Sequence, residues 1–81
     1  MKNKNEIAVN NKLRETRKAM GLTQQQLASK LGLNIVDRIS KWEHGLGMPS
    51  LKNLFRLSSV LQVMPHELYP ELLTAKNFRS S

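Results

Sequence analysis

The chain contains no cysteine among its 81 residues, which excludes disulfide bridges and every zinc site built on thiolates. Its two histidines, His44 and His66, are too few and too isolated for a metal centre. No apolar run approaches the ~18 residues of a membrane span. The opening MKNKNEIAVNNK lacks the apolar core of a signal peptide. The expectation is a cytoplasmic protein with no membrane association, no metal and no cofactor. Aromatics are scarce too: Trp42, Tyr69, Phe55 and Phe78 are the whole set. That argues against single-strand binding on aromatic platforms, which needs stacking residues in number. Acids are also in short supply, six Asp and Glu against thirteen Lys and Arg, for a net charge of +7 and a pI near 10.3.

In so small a domain that excess is the electrostatic footprint of a polyanion binder. A merely soluble basic protein is the plain alternative. The length suits one domain with a single modest core and leaves no room for a separate effector domain. No Ser/His/Asp set and no phosphate-cradling glycine loop is present, so no catalytic residues and no enzymatic activity are expected.

Residues 21–46, GLTQQQLASKLGLNIVDRISKWEHGL, read as two short helices joined by a tight turn. The first has the clearest start signal in the chain. Thr23 and Gln26 have the spacing of a capping box, Leu22 and Leu27 that of a hydrophobic staple, and Gly32 ends the helix. Leu27 and Leu31 face a core, and the small Ala28 lets a neighbouring helix come close. Gln24 and Gln25 fall in the first turn, where side chains and free N–H groups can meet a phosphate; Gln25 is equally a good exposed helix former. Leu33 to Ile35 form the turn, with Asn34 as cap. The next helix starts at Ile35 or Val36 and runs to Glu43. Ile39 and Trp42 make its buried stripe, with Asp37, Arg38 and Lys41 opposite. Asp37 and Lys41 are also spaced to pair along the helix.

The flanking segments follow. Residues 1–10 form a loose basic arm whose Lys2 and Lys4 are within reach of phosphates. A first helix capped by Asn10 or Asn11 runs to Met20 with Leu13, Ala19 and Met20 as its apolar residues, closed by Gly21. After Glu43 comes a loop with two glycines, in which His44 is most simply a phosphate neighbour. Ser50 caps a helix that turns Leu51, Leu54, Leu57 and Leu61 inward. Pro65 opens a short helix and Pro70 a further turn. Tyr69, Leu72, Leu73 and Phe78 either form a dimer face or fold back over Trp42 and Leu61.

The segments GLTQQQLASKLG, ISKWEHG and PSLKNLFRLSSVL together resemble the Cro and phage-repressor helix-turn-helix family. That family carries G-[LM]-[ST]-Q-x-x-[LV]-A-x-x-[LIV]-G followed by I-S-x-W-E-x-G, and the resemblance runs from residue 12 to about residue 69. It implies an all-α, five-helix domain spanning residues 11–74, with residues 75–81 as a tail. The third helix would lie in the major groove of double-stranded DNA, with Val36, Asp37, Arg38 and Lys41 at base-reading positions and Gln24 on a phosphate. Arg17 and Glu43 would pair to brace the reading helix, beside Trp42. One departure stands out. Gly32 and Trp42 are separated by one residue more than in the common pattern, and the extra residue falls within Leu33 to Val36. Gln62 also stands where the family usually has a helix-ending glycine.

The chemistry of these residues fits base reading. Arg38 can donate two bonds to guanine, Lys41 one bond to a base or phosphate, and Val36 can touch a thymine methyl. The resemblance thus implies a bacterial or phage-encoded transcriptional regulator, repressor-like, acting as a homodimer on a palindromic operator. The alternative is an antitoxin or other protein-interaction module that also binds DNA.

Overall fold

A computed structural model describes residues 9–74. Lys2 and Lys4 of the expected arm, and the expected tail with Phe78, lie outside the described residues. The described chain is all-helical, with no strand: α1 Leu13–Ala19, α2 Gln24–Lys30, α3 Asp37–Glu43, α4 Leu51–Leu61 and α5 Pro65–Leu68, followed by a single turn, α6 Glu71–Thr74. This is the five-helix arrangement implied by the resemblance, with the turn after Pro70 as α6.

Four successive helices end the same way. The N–H of Leu22 reaches back to the Arg17 carbonyl, Leu33 to Ala28, Leu46 to Lys41 and Val63 to Ser58. Each of these closures requires one residue in the left-handed region just before the donor. Gly21, Gly32 and Gly45 supply it at φ 75, 76 and 74°; at the fourth corner Gln62 does so at φ 60°. The missing glycine therefore leaves this corner in a glycine-like conformation, held by a residue for which it is strained.

Where α1 begins differs from expectation. Neither Asn10 nor Asn11 is its N-cap; Lys12 is, without a side-chain cap bond, and the helix starts at Leu13. Asn11 has a longer-range task. Its Oδ1 accepts from the Leu13 N–H at 3.0 Å, and its Nδ2 donates to the carbonyls of Val9 at 2.9 Å and Trp42 at 3.0 Å. With Val9 N–H donating to Gly45 O and Lys12 N–H to Leu68 O, residues 9–12 are strapped across the end of α3 and onto α5.

The core takes Leu13 from α1, Leu27 and Ala28 from α2, Leu31 from its C-cap, Ile39 and Trp42 from α3, and Leu54, Leu57 and Leu61 from α4. Leu51 is a correction. It was expected inward but is 67% exposed, and Phe55 one turn on is 56% exposed. The buried stripe of α4 runs through Leu54, Leu57, Ser58 and Leu61, and Leu51 lies at its margin in the first turn. Ala19 and Met20, expected apolar contacts of α1, are likewise exposed. Tyr69 goes to the core, 2% exposed, and Leu72 packs on it half-buried. Burial leaves the Tyr69 hydroxyl without a partner and pushes its pKa up to about 12.

Candidate nucleic-acid interface

The geometry of the interface starts from Thr23. Its extended backbone turns the chain into α2, its Oγ1 accepts from the Gln26 N–H at 3.0 Å, and its own N–H donates to Gln26 Oε1 at 2.8 Å. Leu22, on the preceding residue, packs half-buried against the core. These contacts fix the first turn and set Gln24 half-buried and Gln25 exposed.

Gln24 does more than present itself to solvent. Its Nε2 donates to Glu43 Oε1 at 3.0 Å. The same carboxylate receives Arg17 Nε on Oε2 and Arg17 Nη2 on Oε1 at 3.2 Å, while Arg17 Nη1 donates to the Leu22 carbonyl at 2.8 Å. Arg17 is 7% exposed and the Glu43 side chain 2%. One buried ion pair thus ties α1, the entry to α2 and the last residue of α3. Its hydrogen bonds offset the desolvation cost that burying two charges carries.

The turn carrying the extra residue is built differently from expectation. Asn34 does not cap α3; Val36 is its N-cap, makes no side-chain cap bond, and α3 begins at Asp37. Val36 packs half-buried against the core and Ile35 is exposed. From Asp37 onward the periodicity sorts the side chains cleanly. Ile39 and Trp42 are buried, while Asp37, Arg38 and Lys41 are exposed. Asp37 Oδ2 and Lys41 Nζ stand 3.9 Å apart in the open, a distance and setting worth only a few tenths of a kcal/mol.

Arg38 and Lys41 come together with Gly47, Met48, Ser50 and Asn53 around one shallow depression between α3 and the start of α4. Ser50 caps α4, its Oγ accepting from the Asn53 N–H at 3.2 Å. Arg38 also borders the helix-turn-helix turn with Gly32, Leu33, Asn34 and Ile35. His44 is exposed at the C-cap of α3, its Nδ1 2.8 Å from the Ser40 carbonyl. A carbonyl only accepts, so Nδ1 carries the hydrogen of this bond. Among the described residues no His, Cys, Asp and Glu group could hold a metal ion, and no helix is long and apolar enough to cross a membrane.

The family model described as "Helix-turn-helix" matches residues 13–68. The chain belongs to this family. Its helix-turn-helix relatives include the cryptic phage CTXphi transcriptional repressor RstR of Vibrio cholerae, 30% identical over 71 residues, covering 88% of this chain and 62% of the relative. The HTH-type transcriptional regulator DicA of Escherichia coli is 42% identical over 65 residues, 80% of this chain and 47% of the relative. The HTH-type transcriptional activator BcrR of Enterococcus faecalis is 40% identical over 67 residues, 80% of this chain and 32% of the relative. The helix-turn-helix chain therefore spans between about a third and two-thirds of these relatives' lengths. No solved structure matches it.

Sequence reasoning missed three features of this surface: the Gln24–Glu43 bond, the Asn11 strap onto Trp42, and the outward Leu51 and Phe55. The first two join residues far apart in the chain, which no local pattern signals. The third was readable, because Phe55 is apolar and stands four residues from Leu51 on a helix whose buried stripe is already full.

Proposed function

We propose that this chain is a sequence-specific double-stranded DNA-binding transcriptional regulator of the repressor-like kind, with α3 in the major groove. The observation that carries the reading is the division of α3: Ile39 and Trp42 buried, Arg38 and Lys41 exposed beside one depression, all on a domain of net charge +7. Arg38 and Lys41 read bases. Gln24, Gln25 and His44 contact phosphate, which supplies much of the affinity and makes it salt-dependent. Val36 is half-buried and at most offers a methyl edge to a thymine. Asp37 pairs with Lys41 rather than with a cytosine. The relatives' names include both a repressor and an activator, and the repressor-like reading follows the resemblance to the phage-repressor family and to the relative named a phage repressor.

The protein acts as a homodimer on a palindromic site in the cytoplasm. Leu51 and Phe55 are exposed one turn apart on the outer side of α4 and supply apolar surface for the second copy. Selection of duplexes from a random pool tests the whole reading. The expected result is a palindrome whose half-sites lie about one helical turn apart, bound with an affinity that falls steeply with salt. Recovery of no common sequence, or an affinity indifferent to salt, rejects it.

A further inference from the structure

We propose that Gln24 is a positioning residue for α3, so that holding a phosphate at the start of α2 and orienting the reading helix are a single event. This rests on the DNA-reading function above and deepens it. Glu43 is the last residue of α3, and its carboxylate is 2% exposed. Oε2 is taken by Arg17 Nε, and Oε1 is shared between Arg17 Nη2 at 3.2 Å and Gln24 Nε2 at 3.0 Å. The remaining branch of Arg17 is committed to the Leu22 carbonyl. Of the three side chains in this network, Gln24 alone reaches partway to the surface, because Arg17 and the Glu43 carboxylate are enclosed.

The chemistry of Glu43 also fixes which way the amide points. An ionised carboxylate only accepts, so the atom facing it must be the Gln24 nitrogen. One N–H of that nitrogen is held inward, and the second is left for an external acceptor. The two N–H groups sit on one atom, so an oxygen that engages the outer one lies at a fixed distance from Glu43 and hence from the end of α3. The link matters because the turn between the helices contributes no side-chain cap to α3. Gln24–Glu43 is the one side-chain hydrogen bond between α2 and α3 among the described residues. A phosphate contact without such a link would add affinity equally on all sequences.

Binding of the full chain to its selected duplex and to a scrambled duplex of equal length distinguishes the two roles. Gln24→Met keeps the length of the side chain and removes both donors. The expected loss is about tenfold on the selected duplex and about two- to threefold on the scrambled one, which lowers their ratio. An equal loss on both overturns the proposal and leaves Gln24 a phosphate contact alone. A lowered melting temperature with the ratio intact overturns it as well, since that is a purely structural role. The free chain gives an independent reading by NMR. One Gln24 side-chain amide proton should exchange more slowly than either proton of Gln25, and indistinguishable pairs overturn the bond itself. If the wild-type chain prefers no duplex, the sequence-reading function has failed, and this is seen before any variant is made.

Discussion

The two helices of the helix-turn-helix reach the same length by opposite means. α2 is specified by its immediate neighbours in sequence: Thr23 and Gln26 close a capping box, Leu22 packs on the core beside Leu27, and Gly32 takes the left-handed position at the end. α3 has none of this at its start. Val36 stands at the N-cap with no side-chain bond, and Asn34 does not serve. What holds α3 lies elsewhere in the chain: Ile39 and Trp42 in the core, Arg17 and Gln24 on Glu43, and Asn11 on the Trp42 carbonyl. α2 is written locally, and α3, the proposed reading helix, is written at long range. The outer face of α3 takes no part in these ties, so on the proposed function its residues are open to selection for a DNA sequence.

If the contrast is right, the largest effects follow from cutting the long-range ties. Glu43→Leu leaves Arg17 buried without its partner and should cost about 3–5 kcal/mol, measured by denaturant unfolding. The double variant Arg17→Met with Glu43→Leu should recover much of that loss, because two apolar side chains leave no orphaned charge. Additive losses would show that the pair is not a unit. Next in size is Arg38→Ala, expected to leave stability unchanged while weakening the selected duplex by ~1–3 kcal/mol and relaxing preference at one base pair. A comparable loss on random DNA would remove its base-reading role.

Cutting the local ties should do less. Thr23→Ala removes the cap of α2 and should cost about 1 kcal/mol, seen as a lower melting temperature. The fourth helix corner offers the same local code with one letter out of place. Gln62→Gly relieves the left-handed strain but frees the unfolded chain, for a net gain of ~0.5 kcal/mol and a melting temperature higher by about 2–4 °C. A drop in melting temperature would mean that the corner is not strained in solution.

The same division explains what could be read before the structure. The boundaries of α2, the buried Leu27, Leu31, Ile39 and Trp42, and the outward Arg38 and Lys41 all follow from capping chemistry and helical period, and they stand as expected. Asn34 and Asn10 looked like caps because their residue type favours caps. Whether an asparagine caps depends on the backbone it finds, and that is set by packing. Leu51 looked internal because it continues a 3–4 spacing, but a helix end can extend beyond the surface it covers. The Arg17–Glu43 pair was legible only through family resemblance, since 26 residues separate the two. The Gln24 bond to the same carboxylate had no signal at all.

Asp37 gives the finest test of the contrast, because it is the acid beside Arg38 and Lys41 on the exposed face of α3. Its ion pair with Lys41 is exposed and spans 3.9 Å, so Asp37→Asn should lower stability by no more than about 0.3–0.5 kcal/mol. Binding should respond in the other direction. The substitution removes a charge that phosphates repel and releases Lys41 from its partner, so affinity should rise on selected and scrambled duplexes alike, most at low salt. A loss confined to the selected duplex would mean instead that Asp37 accepts from a cytosine amino group. The face of α3 would then read bases with an acid as well as with Arg38 and Lys41.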